Sequence, residues 1–106
     1  MYAQLTYFDG PRSPEQLAAA DFAAGNRIAP AAGAVPGVLR TYVLRRADGG
    51  EVVVTIAESE QALADAQKAV LGTALLPGED PALLPGPDRV EIYPVHEVFE
   101  PAGARS

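Results

Sequence analysis

A single imidazole, His96, is the side chain of this sequence best matched to proton transfer near neutral pH. It lies late in the last segment that reads as a strand. An imidazole there serves a solvated surface or an interface hydrogen bond as readily as a substrate. Tyr7, Tyr42 and Tyr93 lie in strand-like segments. Their phenols combine an apolar body with a polar tip and suit the mouth of a pocket or a subunit contact. Arg40 can hold a carboxylate or phenolate, and on an edge strand it is otherwise solvated or ion-paired. Asp9 and Glu97 are isolated, so no two carboxylates are spaced for paired acid-base work. With no cysteine and one histidine, neither a thiolate nucleophile, nor a disulfide, nor a transition-metal site is expected.

The elements that must position these residues are legible in order. Tyr2 to Phe8 is aromatic and β-favouring, and Asp9-Gly10-Pro11 ends it. Ser13-Pro14-Glu15-Gln16 opens a helix with Ser13 as N-cap, Pro14 at the first position and Gln16 closing a capping box. That helix carries Leu17, Ala20, Ala24 and Ile28 on one stripe, with Phe22 to its side; Gly25 weakens it and Pro30 ends or kinks it. Ala-rich turns lead to Val35-Pro36-Gly37. A second strand, Val38 to Arg46, meets a hairpin at Asp48-Gly49-Gly50, which is not a phosphate loop.

Glu51 to Ala57 is apolar on both faces: Val52, Val54 and Ile56 alternate with Val53, Thr55 and Ala57. A strand with one solvated face alternates apolar and polar residues, so this one is covered twice. The chain has helices enough for one face, and a second copy of itself is the simplest cover for the other. Ser59 caps a second helix with Leu63, Ala66, Val70 and Leu71 turned inward. The segment Gly72 to Asp88 repeats Ala-Leu-Leu-Pro-Gly and reads as a lid or, preferentially, as turns whose leucines complete a core or dimer contact. Val90 to Phe99 is the last strand.

The resulting order, βαββαβ, predicts a ferredoxin-like α+β domain over residues 1–100, followed by a tail at 101–106. Right-handed crossovers place both helices on one face of a four-stranded antiparallel sheet, with the second and fourth strands at the edges. Pro94 and the arginines at 40, 45 and 46 suit edges. A net charge of −6 with Lys68 as the single lysine argues against nucleic acid. No run approaches the ~20 apolar residues of a membrane span. Met1 to Phe8 lacks the pattern of a signal peptide, so a cytoplasmic location is expected.

Val35-Pro36-Gly37-Val38-Leu39 ahead of the second strand, and Ala57-Glu58-Ser59-Glu60-Gln61-Ala62-Leu63 where the third strand meets its helix, resemble the antibiotic-biosynthesis-monooxygenase group of the dimeric α/β-barrel superfamily. The resemblance spans Tyr2 to Phe99. It implies a homodimer packed through the helix-free sheet faces, and a small aromatic or apolar ligand. The group includes oxygenases without cofactor, haem-degrading enzymes, isomerases and cyclases. Haem degraders use an Asn on the first strand with a Trp and a His; the first strand here has no Asn and the chain no Trp. Cofactor-free oxygenases use Tyr, Asn, Trp and His to bind and deprotonate a phenol. By that resemblance His96 is the catalytic candidate, Tyr7, Tyr42, Tyr93 and Arg40 are the substrate-binding candidates, and no metal or cofactor is implied. A dimer that binds a small ligand or partner without catalysis is the alternative.

Overall fold

The computed structural model describes residues 1–103; of the expected tail, positions 104–106 lie outside the described residues. Four strands, β1 (Tyr2–Phe8), β2 (Val38–Arg45), β3 (Glu51–Ala57) and β4 (Arg89–Pro94), form one antiparallel sheet in the order β2-β3-β1-β4. The two edges are therefore the strands that carry Arg40 and Pro94. The hairpin closes as read: the Arg46 N–H donates to the Gly50 carbonyl at 2.7 Å, and Gly49 takes φ +90°. Asp48 caps this turn, and the Gly50 N–H and the Arg46 guanidinium hold its carboxyl below the usual range.

Helix α1 (Pro14–Ala23) starts on the full capping box, with Ser13 Oγ accepting from Gln16 N–H at 3.1 Å and Gln16 Oε1 accepting from Ser13 N–H at 2.9 Å. Pro30 does not end the helix. The chain widens into a π turn over Ala24–Ile28, where the Ala29 N–H reaches the Ala24 carbonyl five residues back. It then continues as a short helix, α2 (Ala29–Gly33), with Pro30 in its first turn, where a missing N–H costs little. The stretch read as Ala-rich turns is thus partly helical. Helix α3 (Glu60–Leu71) begins on Ser59, whose Oγ accepts from the Ala62 N–H at 3.1 Å. Leu63 and Ala66 are buried as expected, but Leu71 is 76% exposed, because the chain turns away at Gly72 and no later turn covers it.

Strand β4 stops at Pro94, short of the expected Phe99. Its partner β1 begins at Tyr2, opposite Pro94, and one further bond, Val95 N–H to the Met1 carbonyl, exhausts the ladder. His96 therefore lies beyond the strand.

Tyr2, opposite Ala57, packs on Ala62 and Leu63 of α3, which identifies the helix-covered face. Across it run the rows Thr41–Thr55–Gln4–Ile92 and Val43–Val53–Thr6–Val90. The opposite face carries Arg40–Ile56–Ala3–Tyr93, Tyr42–Val54–Leu5–Glu91 and Leu44–Val52–Tyr7–Arg89. A bulge at Leu39 sets this assignment: Val38 pairs with Ala57 and Arg40 with Ile56, so the extra residue moves Arg40, Tyr42 and Leu44 to the helix-free face.

The core under the helices is thin. Ala23, Ala57, Ala62, Ala66 and Leu63 are the buried apolar residues among those described, and only Leu63 is large. Every residue of β1, and every residue of β3 except Ala57, stays partly accessible. The Cα radius of gyration, 14.7 Å, exceeds the ~13 Å of a closed domain of this length. Side chains on both faces of the two central strands thus keep some exposure, under the helices as well as on the bare face.

Candidate functional site

The helix-covered face carries the chemistry that sequence reading missed. Gln4, Thr6, Thr41 and Thr55 stand where a sheet packed on helices normally presents aliphatic side chains. The buried helix residues are Ala23, Ala62, Ala66 and Leu63, and only the last is large, so the helices pack thinly on this face. Gln4 Oε1 is buried and has no hydrogen-bond partner among the described residues. Gln4 Nε2 reaches Thr6 Oγ1 only at 3.4 Å. An enclosed acceptor without a donor costs roughly 1–3 kcal/mol, and such atoms mark positions awaiting a ligand or water. The signal was present in the sequence as Gln4 and Thr6 alternating with Ala3, Leu5 and Tyr7, but register was needed to put Thr55 and Thr41 beside them.

A charged network fastens α1 to one end of the sheet. Glu51 at the start of β3 receives Arg12 at 3.0 Å and Arg45 at 2.7 Å, and Arg45 also holds Asp21 of α1 at 2.6 Å. Arg12 and Glu51 are nearly buried, so the pair is shielded from solvent. The hydrogen bond from Arg45 keeps the Asp21 carboxyl below its ordinary range.

All four residues proposed from sequence for substrate binding lie on the helix-free face. Arg40 Nη1 donates to Tyr42 Oη at 3.2 Å on edge β2. Tyr93 sits in the same row as Arg40 but on the other edge, roughly 14 Å away at three strand spacings of ~4.8 Å. Tyr7 is stacked under the Arg89 guanidinium at 3.9 Å. The structure brings Arg40 and Tyr42 together, and leaves Tyr93 and Tyr7 apart from them. Arg40 and Tyr42 line a shallow groove of about 580 Å³ with Met1, Leu39, Ile56, Val95 and Val98. His96 follows Val95, and its side chain is 97% exposed with Glu97 at 4.0 Å. No tyrosine hydrogen-bonds to it among the described residues. These residues hold no cluster of His, Cys, Asp and Glu that could bind a metal, and no helix long and apolar enough to cross a membrane.

Sheet order, helix placement and the two-faced third strand together give the fold of the cofactor-independent antibiotic-biosynthesis monooxygenases, as the sequence resemblance implied. The chain is similar to the ActVA-Orf6 monooxygenase of Streptomyces coelicolor, solved with nanaomycin D: 25% identity over 95% of this chain and 90% of that one, TM-score 0.58. It also resembles SnoaB, a cofactor-independent oxygenase from Streptomyces nogalater, at 18% identity over 92% of each chain, TM-score 0.52. A point mutant of SnoaB aligns likewise, at 17% identity and TM-score 0.53. No family profile matches the chain, and no curated protein does.

Proposed function

We propose that this protein is a homodimeric, cofactor-independent monooxygenase acting on an aromatic, polyketide-like phenol bound in the cleft between sheet and helices. The observation that carries the reading is Gln4 Oε1, a buried acceptor without a donor in a polar row beneath short helix side chains. A substrate hydroxyl supplies the missing donor, and the aromatic body fills the space that the alanines leave. Overall similarity to a ligand-bound monooxygenase over nearly the whole chain supports the same reaction class.

The chemistry suits a site with no redox group of its own. Loss of the phenolic proton to a base yields an electron-rich anion whose activated carbon reduces O₂ to a bound hydroperoxide. Loss of water from it leaves one oxygen atom in the product carbonyl and the other in the water. His96 takes the proton in this scheme only if a second copy encloses the segment after β4, since in one copy it is fully exposed. Val95 and Val98 of that segment border the helix-free face, through which we propose the two copies pack, so His96 meets a phenol held at Gln4 on the other face only if dimerisation turns this segment around the sheet edge.

The test is conversion of hydroxylated anthrones and naphthols to quinones in air, with no flavin, haem or metal added and an anaerobic control. His96→Gln is expected to lose ~10²–10⁴ of rate, the usual contribution of a positioned base. Unchanged turnover removes His96 from the scheme. Absence of oxygen-dependent turnover on any such compound removes the oxygenase reading.

A second reading rests on the groove at Arg40 and Tyr42: a dimer that binds a small apolar ligand between its sheets without turnover. Ligand affinity lost in Tyr42→Phe and Arg40→Ala but kept in Gln4→Leu favours it; the reverse pattern favours the cleft.

A further inference from the structure

Arg27, the only charged residue of the π turn, is bound entirely to the long segment between α3 and β4. Its Nε and Nη2 meet the two oxygens of Glu79 at 2.8 and 3.1 Å, and Nη1 donates to Thr73 Oγ1 at 2.9 Å. Glu79 Oε2 also accepts the Leu76 N–H at 2.7 Å. The Glu79 side chain is 1% exposed although it sits on a loop, and Arg27 is 11% exposed. The Arg27 hydrogen bonds hold the Glu79 carboxyl below its ordinary range. A bidentate, shielded pair of this kind is among the stronger polar contacts available.

The rest of the segment is lightly held. Its other hydrogen bonds are local, within 70–73, 76–79 and 80–84, until Asp88 joins β1 through the Tyr7 carbonyl and the Asp9 N–H. Its turn Pro81–Leu83 packs on α1, and its end starts edge strand β4. It therefore bridges the helix layer to the sheet edge along one side of the cleft. On that edge the helix-facing Val90 and Ile92 stay 42% and 44% exposed, so the helices alone do not cover this side of the sheet.

We propose that residues 72–88 form a gate over the helix–sheet cleft and that Arg27–Glu79 is its latch. This rests on the cleft as the binding site but not on any substrate. Releasing one ion pair frees a segment that, past the bonds of Gly72 and Thr73 to the end of α3, is tied to the helices only by the packing of Pro81–Leu83 on α1. The π turn explains why the latch sits there: one extra residue in the helix turns Arg27 towards the loop.

The absence of cysteine permits a direct test. Thr6→Cys places a single thiol on the cleft floor, and Thr55→Cys is a second position should the first fail to fold. Labelling by a chromogenic disulfide reagent is expected to be roughly tenfold faster when Glu79→Gln or Arg27→Gln is added, within the range expected when a charge-assisted pair controls local opening. The double Arg27→Gln, Glu79→Gln variant should react no faster than either single one. Hydrogen exchange at Leu76 to Leu84 should rise in the same variants while β1 and β3 keep their protection. Equal labelling rates overturn the gate, even if exchange in the loop rises. Faster labelling with no quinone formed by the parent protein keeps the gate and rejects the oxygenase.

Discussion

Replacing Gln4 by Leu should make this protein more stable and less able to bind its ligand. The two side chains have similar volume, so the cleft floor keeps its shape. The substitution removes a buried acceptor with no donor, a burden of roughly 1–3 kcal/mol. What it gives up is one contact to Thr6 at 3.4 Å, too long to contribute much. A net gain of about 1–2 kcal/mol follows, which for a domain near 100 residues corresponds to a rise in Tm of about 5–10 °C. Calorimetry or circular dichroism measures it. Binding is read by quenching of tyrosine fluorescence with a hydroxynaphthoquinone, since the chain has four Tyr and no Trp. Loss of one hydrogen bond near 1 kcal/mol weakens Kd about fivefold. A variant that unfolds more easily than the parent refutes the argument, because it would mean that the Gln4 amide is satisfied. A more stable variant that binds equally well would leave the cleft unused.

Four further outcomes follow from the same geometry. Val54→Asp, at the centre of the helix-free face, should convert a dimer into a monomer in sedimentation at micromolar concentration, since an unpaired charge would be buried in a contact that typically covers ~1,200–2,000 Å²; a parent that sediments as a monomer sinks the dimer. Ser13→Ala and Ser59→Ala should each cost about 1 kcal/mol in denaturant unfolding, because each hydroxyl accepts a first-turn N–H. Loop protection should depend on pH with a definite sign. Glu79 has a folded pKa below its ordinary 4.5, so its contribution is complete above 4.5 and is lost as pH falls through the lower folded value; exchange at Leu76 to Leu84 that is flat from pH 6 to 3, after correction for intrinsic rates, would exclude the latch. Finally, His96→Gln in a protein that proves monomeric should leave turnover unchanged, because nothing then encloses the imidazole.

Much of the fold was written locally. Ser13, Pro14 and Gln16 specify a helix start through three adjacent side chains, and the hairpin at Asp48-Gly49-Gly50 needs only positive φ and an Asx turn. The edges could be inferred from Pro94 and the arginines because missing donors and solvated charges are tolerated only there. Three features escaped because their causes are not local. Pro30 forbids a regular helix, but a π turn whose bonds reach one residue further back accommodates it. The end of β4 is set by where β1 begins, ninety residues away in sequence. Leu71 completes an inward stripe by spacing alone, yet it is the last residue of the helix and the chain turns away directly after it.

The site was the least legible part, and the bulge at Leu39 shows why. Strand alternation assigns faces only relative to a known register, and one inserted residue reverses every face after it. Without the bulge, Arg40, Tyr42 and Leu44 would look into the cleft, and the tyrosine and arginine chosen for their chemistry would stand over Gln4. With it, they join Val52, Val54 and Ile56 on the bare face, while Thr41 and Val43 turn towards the helices. One unpaired residue thus decides which side chains each face of the sheet carries. The face rich in aromatic rings and aliphatic side chains is the one through which we propose that two copies pack, and the face with hydroxyls and an unsatisfied amide is the one on which we propose that the ligand binds. On that proposal Ala23, Ala62 and Ala66 have a reason, since larger residues there would complete a core and leave no room for a ligand.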